Sequence, residues 1–169
     1  SLLASFEYPP TPYDVIGNIP YNITALILEK FLAHPPRPRS LTLLLDNAVA
    51  EVLAARPPDM SLRAVGAQVY AEPTVVRPRI PPSAFVPPPA VRSAIVRLLV
   101  RASPLISPAE ENAFFRLVRA GFSQKRKILA NALAASYRLS PAEAASRLRL
   151  ETDFQARVRA ADGLLVVAP

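Results

Sequence analysis

The chain has 169 residues, 51% of them hydrophobic, with 20 Pro against only 4 Gly, one His and no Cys. The missing cysteine excludes a disulfide framework, a thiolate metal site and a cysteine nucleophile, and the single histidine, His34, has no second imidazole with which to share a metal. A formal net charge of +7 suits a polyanionic partner, nucleic acid ahead of a membrane surface.

The length suits one domain or a domain and a half with a real apolar core. No apolar run reaches the roughly 18 residues of a membrane span, because Asp46 ends one candidate and Arg97 interrupts the next. Ser1 to Pro10 lack a basic start and a long apolar segment, so no secretory signal is expected, and the absence of cysteine fits a reducing cytoplasm. Nothing in the composition points to a metal.

In chain order, Tyr13 to Gly17 reads as a short buried strand, and Thr24 to Leu32 has helical apolar spacing. His34 precedes Pro35 and Pro36 and is expected in a loop, with a structural or merely exposed role. Leu41 to Leu45 is an apolar run of strand length, followed by Val49, Leu53 and Ala54 at helical spacing until Pro57 and Pro58. This strand, helix, strand, helix order predicts a parallel sheet with crossover helices, hence an α/β fold. Leu62 to Tyr70 is a further short helix. Thr74 to Ile80 and Val91 to Arg101 are β-rich and flank a proline-dense loop, as a hairpin at the sheet edge would.

After Pro104 the signals turn helical. Ser107-Pro108-Ala109-Glu110 supplies a capping serine, a proline at the first helical position and a glutamate three residues after the cap. Phe114, Leu117, Val118, Gly121 and Phe122 then share one face. Ser140-Pro141-Ala142-Glu143 repeats the start signal, Thr152-Asp153-Phe154-Gln155 is a weaker third version, and Ile128, Leu129, Ala132 and Leu133 mark another helix. The expected organisation is an α/β domain over residues 1–104 and a small all-α subdomain over residues 105–169.

Asn18-Ile19-Pro20-Tyr21 follows the first strand directly, at the place where open α/β sheets bind ligands. An exocyclic amine such as that of adenine is a poor nucleophile, since its lone pair is delocalised into the ring. An enzyme must hold it by its hydrogens. The Asn18 carbonyl oxygen and the backbone carbonyl of Ile19, kept extended by Pro20, offer two acceptors, and Tyr21 offers a stacking surface. Transfer to such an amine would draw most of its acceleration from positioning. The plain alternative is an Asn-X-Pro turn with Tyr21 in the core.

Val15-Ile16-Gly17-Asn18-Ile19-Pro20-Tyr21-Asn22-Ile23 resembles the fourth motif of the ribosomal RNA adenine dimethyltransferases, which use S-adenosylmethionine. Ile80-Pro81-Pro82-Ser83-Ala84-Phe85-Val86-Pro87-Pro88-Pro89, with Val91, Ser93, Ala94, Ile95 and Val96, resembles that family's proline-rich segment and following strand. Phe122-Ser123-Gln124-Lys125-Arg126-Lys127-Ile128-Leu129 and Asn131 resemble the basic segment of its C-terminal helical domain. The three matches fall in the family's order.

The resemblance implies the C-terminal half of a Rossmann-like methyltransferase sheet followed by an RNA-binding helical subdomain. It implies that Asn18 and the Ile19 carbonyl hold the target amine beside the cofactor, that Pro20 fixes their geometry, that Tyr21 stacks on the adenine and that Phe85 closes from another side. Prolines on both sides of Phe85 give an independent reason, since a stiff loop holds a ring at low entropy cost. The alternative for Phe85 is a hydrophobic plug under the loop. Residues 112–142 contain six basic residues, among them Arg116, Arg119, Lys125, Arg126 and Lys127, and no acidic one. Lys125 to Lys127 fall near a helix start, where the dipole disfavours cations, which hints at RNA phosphate; a solvated charged face is the alternative.

The implied activity is S-adenosylmethionine-dependent dimethylation of the N6 amines of two adjacent adenines in small-subunit ribosomal RNA, with the small-subunit precursor as partner. Dimethylation of an adenine in large-subunit RNA is the second expectation, and a non-catalytic RNA-binding or ribosome-assembly role the third. The sequence also departs from the family. Asp46, Asn47 and Ala48 stand where a glutamine, a basic residue and a glutamate are usual, and Ala90 and Arg92 stand where Lys and Asp are common. Nothing before Asn18 resembles the Gly-rich cofactor loop. Three strand-helix units, on the order of 90 residues, would then be missing, and the chain alone is expected to bind the cofactor poorly or not at all.

Overall fold

Alternation of apolar side chains decides where the sheet lies. In a computed structural model, which describes residues 7–123, 129–140, 142–144 and 146, four strands form one sheet: β1 (Asp14–Asn18), β2 (Ser40–Asp46), β3 (Ala71–Ile80) and β4 (Ser93–Val100), in the order β1-β2-β4-β3. Leu41, Leu43 and Leu45 of β2 lie opposite Leu98, Val96 and Ala94 of β4, and all six are fully buried on one face. Each buried Leu contributes about 2 kcal/mol of apolar transfer. The other face is more open, with Ile16 and Leu99 exposed.

β1 and β2 pair in parallel, as the strand-helix-strand order predicts. A parallel pair needs a crossover. It is supplied by one continuous helical stretch: a 3-10 turn (Tyr21–Ile23), α1 (Thr24–Leu28) and a π turn (Glu29–Ala33). Pro35, Pro36 and Pro38 then end it, and His34 is exposed. The helix α2 (Asn47–Ala54) follows β2 directly.

The parallel arrangement stops at β2. β4 runs antiparallel to both β2 and β3, so the expected edge hairpin exists with only β3 on the edge. Composition explains the edge place of β3. Pro73 and Pro78 cannot donate to a ladder, and Arg77 and Arg79 are exposed, so β3 suits an edge, whereas Ser93 to Val96 of β4 tolerate neighbours on both sides. The pairing of β3 with β4 shifts register between Val75 and Arg77 and again between Arg77 and Ile80, bulges that bend the strand end.

The chain divides into two compact units, Ser1–Ala54 with Tyr70–Pro104, and Ala55–Val69 with Leu105–Pro169. The second contains α3 (Leu62–Gln68), α4 (Glu111–Phe122) and α5 (Leu129–Tyr137). Its small cluster of Ala120, Ala134 and Ala144, with Leu117 and Tyr137 against it, lets helix backbones approach closely. Gln68 is buried and donates to the Ala55 carbonyl at 2.8 Å, tying α3 to the segment before it.

Two of the helix-start signals are visible as hydrogen bonds. The Glu143 carboxylate accepts from the Ser140 N–H at 2.9 Å and from its hydroxyl at 2.7 Å, while Ser140 Oγ accepts from the Glu143 N–H at 3.2 Å, a reciprocal capping box. At Ser107 the Glu110 carboxylate likewise accepts from the N–H and hydroxyl, but the Glu110 N–H bonds the Ser107 carbonyl at 3.0 Å. That tighter turn delays α4 to Glu111, three residues past the predicted proline start. The third signal, Thr152 to Gln155, and Ile128 lie outside the described residues.

Candidate functional site

The directions of the strands gather three segments at one end of the sheet. β1 and β2 are parallel, and β3, being antiparallel to β4, points the same way as they do. Their carboxyl ends therefore lie together with the start of β4. The Asn18 to Tyr21 loop, the Asp46 to Asn47 junction and the loop from Ile80 to Ser93 all emerge there.

Asn18 is the last residue of β1 and is exposed. Its neighbour Ile19 is buried and its N–H donates to the Leu44 carbonyl at 3.1 Å, so the backbone stays on the sheet for one residue beyond the strand. Period-two alternation then separates their side chains: Gly17 and Ile19 face the covered side, and Asn18 faces the open one. Gly17 leaves room for Ile19, since a Cβ there would lie 3.2 Å from Ile19 Cδ1 and the isoleucine would have to give by a few tenths of an ångström. Pro20 ends the extended stretch, and its carbonyl accepts from the Ile23 N–H at 3.0 Å. The Tyr21 carbonyl accepts from the Thr24 hydroxyl at 3.2 Å. The chain after Pro20 is thus wound into the helix start while Asn18 is left facing outward.

Tyr21 is half-buried, and its phenol meets Ser93 Oγ at 2.7 Å. Ser93 is completely buried and pairs with Asp46 on one side and Ile80 on the other. A polar residue at the head of an apolar strand requires a partner, and Tyr21 supplies it. Tyr21 is therefore anchored by its tip and is not wholly packed in the core, the plain alternative that the sequence offers. Ser93 stands within the proline-rich match of the sequence but carried no assigned role. Its isolation between Val91 and Ala94-Ile95-Val96 was the available signal.

Phe85 is half-buried, at the end of a 3-10 turn (Pro82–Ala84), and its N–H donates to the Pro82 carbonyl at 3.1 Å. Beside it Val86 is fully exposed, so the loop crest projects from the sheet end. Asp46 accepts from the Ala48 N–H at 2.8 Å and caps α2. An exposed carboxamide, an anchored phenol and an aromatic on a stiff loop are suited to holding a flat heteroaromatic group by an amine and by its faces.

The basic residues belong to the second unit. Arg116 and Arg119 are exposed, three residues apart on α4. The Arg116 guanidinium lies 5.5 Å from the Tyr137 ring centre and that of Arg119 5.9 Å from Phe115. Stacking of this kind orients a guanidinium while leaving its edge donors for an anion. Lys125, Arg126 and Lys127 lie outside the described residues.

No group of three or more His, Asp or Glu that could hold a metal occurs among the described residues, and no helix there is long and apolar enough to cross a membrane. For a nucleoside-type methyl donor the fit is incomplete. Gly17 lies in β1, Gly66 in α3 and Gly121 in α4, so none of these stands in a strand-to-helix loop able to cradle the donor's polar groups.

A sequence profile described as Ribosomal RNA adenine dimethylase matches residues 5–161. Curated relatives include Ribosomal RNA small subunit methyltransferase A of Dehalococcoides mccartyi (strain CBDB1), 38% identical over 73% of this chain and 42% of that protein. The protein of the same name from Synechococcus sp. (strain JA-3-3Ab) is 41% identical over 88% of this chain and 55% of its own length. The chain thus spans about half the length of these relatives. Among solved structures, a dimethyladenosine transferase from Plasmodium falciparum superposes with a TM-score of 0.66 at 27% identity, covering 76% of this chain and 46% of that one. The 23S rRNA methyltransferase ErmE does so with a TM-score of 0.65 at 28% identity, covering 80% and 54%.

Proposed function

The chain belongs to the ribosomal RNA adenine dimethylase family, and from that premise we propose that it forms the base-holding and RNA-binding part of a cytoplasmic enzyme that dimethylates the N6 amines of two adjacent adenines in small-subunit ribosomal RNA. The observation that carries this reading is Asn18-Ile19-Pro20-Tyr21 at the carboxyl end of β1, with Tyr21 tied to Ser93 at the foot of the loop that bears Phe85. Asn18 Oδ1 and the Ile19 carbonyl accept the two amine hydrogens, which turns the nitrogen lone pair out of the base plane and toward the methyl donor. Tyr21 and Phe85 hold the ring. Arg116 and Arg119, with Lys125, Arg126 and Lys127, contact phosphates of the RNA.

S-adenosylmethionine is the methyl donor that the family implies. Among the described residues none of the glycines stands in a loop that would cradle it, and Asn18 is assigned to border it. The curated relatives named for the small subunit are 38% and 41% identical, and the structure named for 23S RNA is 28% identical, an ordering that supports the small-subunit target.

The test uses the complete protein that carries this chain. Asn18→Ala should lower methyl incorporation into a small-subunit RNA hairpin by about 100-fold, the scale of a lost positioning contact, with RNA affinity within two-fold of the parent. Undiminished transfer would refute the amine-holding role. Immature-subunit binding without any methyl incorporation by the parent would instead favour a purely assembly-related role.

A further inference from the structure

Asn47 fastens both roots of the loop that carries Phe85. At the first root, Arg79 has a φ of 54°, in the left-handed region that residues with a side chain seldom enter. Its N–H donates to Asn47 Oδ1 at 2.9 Å. At the second root, the N–H of Asn47 itself donates to the Arg92 carbonyl at 3.0 Å. The amide is oriented from its other side, where Nδ2 donates to Glu51 Oε1 at 2.9 Å, one turn along α2. Oxygen toward Arg79 and nitrogen toward Glu51 is the one assignment that satisfies both partners.

Between the two roots the chain holds Pro81, Pro82, Pro87, Pro88 and Pro89. So stiff a loop moves as a body about its ends, and the position of the Phe85 ring follows from the geometry at Arg79 and Arg92. We propose that Asn47, which stands where the family usually has a basic residue, is the positioning residue for Phe85: it holds Arg79 in its left-handed turn and sets where the ring stands at the sheet end. The functional consequence rests on the reading of Phe85 as a base contact. The anchoring does not.

The chain contains no tryptophan, so Phe85→Trp provides a single emitter on the loop. In that background Asn47→Ala should raise acrylamide quenching of the emitter about two-fold. Asn47→Asp keeps the oxygen for Arg79 but sets a carboxylate against Glu51, and should also raise quenching; adding Glu51→Gln restores a donor and should return it to the parent value. Rescue by the paired variant separates a specific hydrogen-bond bridge from general loosening, and it remains decisive if Asn47→Ala fails to fold. Parent-like quenching in the folded Asn47→Ala and Asn47→Asp proteins overturns the proposal, as does absence of rescue in a folded Asn47→Asp with Glu51→Gln protein. In the complete enzyme with native Phe85, Asn47→Ala should raise KM for the RNA several-fold with a smaller change in kcat. If the emitter loosens as expected but Phe85→Ala retains full transfer, the anchor stands and the base-contact reading of Phe85 fails.

Discussion

The phenol of Tyr21 and the hydroxyl of Ser93 meet at 2.7 Å across 72 residues of sequence. This bond joins the loop after β1 to the first residue of β4 and fixes the direction of the Tyr21 ring axis. Because Ser93 is buried, removal of either partner leaves a polar group without its mate in a place that water reaches poorly.

Tyr21→Phe and Ser93→Ala should each destabilise the folded chain by about 1 kcal/mol, with Tyr21→Phe the costlier because it strands the buried serine. The double variant should be less destabilised than the sum, with a coupling of roughly 1 kcal/mol read from urea midpoints. Strict additivity would show that the two hydroxyls act separately.

At the opposite end of β1, Asp14 accepts from Ser40 Oγ at 2.9 Å and from Arg39, and these bonds hold its carboxyl below the usual carboxylate range, the serine more than the arginine. Asp14 also faces Ser40 in the β1–β2 register. A folded-state pKa below the unfolded one stabilises the fold above the unfolded value, and that stabilisation is lost as pH falls through the folded value. Asp14→Asn should therefore be less stable than the parent at pH 7, and the gap should close below about pH 3.8, the ordinary value. Urea unfolding at pH 7 and pH 2.5 measures it; a gap equal at both would disconnect Asp14 from strand pairing.

Arg116 and Arg119 present exposed guanidinium groups from one side of α4. With both changed to Ala, the complete protein should bind RNA more weakly at low salt, and the slope of log affinity against log salt should shrink by between about 1 and 2, the loss of two phosphate contacts. The comparison is a salt series on parent and variant. An unchanged slope would assign the pair to packing against Phe115 and Tyr137 instead.

Much was decided locally. Short apolar runs and β-rich composition marked all four strands, prolines ended the helical stretch after Ala33 and the helix after Ala54, and the serine-to-glutamate spacing at 140 and 143 specified a cap that forms as written. The placement of Asn18 to Tyr21 after a strand was likewise visible in nine consecutive residues. Such signals work because they depend on neighbours within one turn or one strand.

The order β1-β2-β4-β3 was not legible, because a ladder matches backbone to backbone and an apolar strand carries no mark of which neighbour it will take. That order brings Ser93 beneath Tyr21, and it brings Asn47 to Arg79, 32 residues away, and to Arg92. In the sequence, Asn47 was only a departure from a family pattern and Ser93 only a small polar residue within a β-rich segment. The sequence determined which residues could face a flat base; tertiary structure decided what holds them, since the anchoring hydrogen bonds run between segments that only the completed sheet makes adjacent.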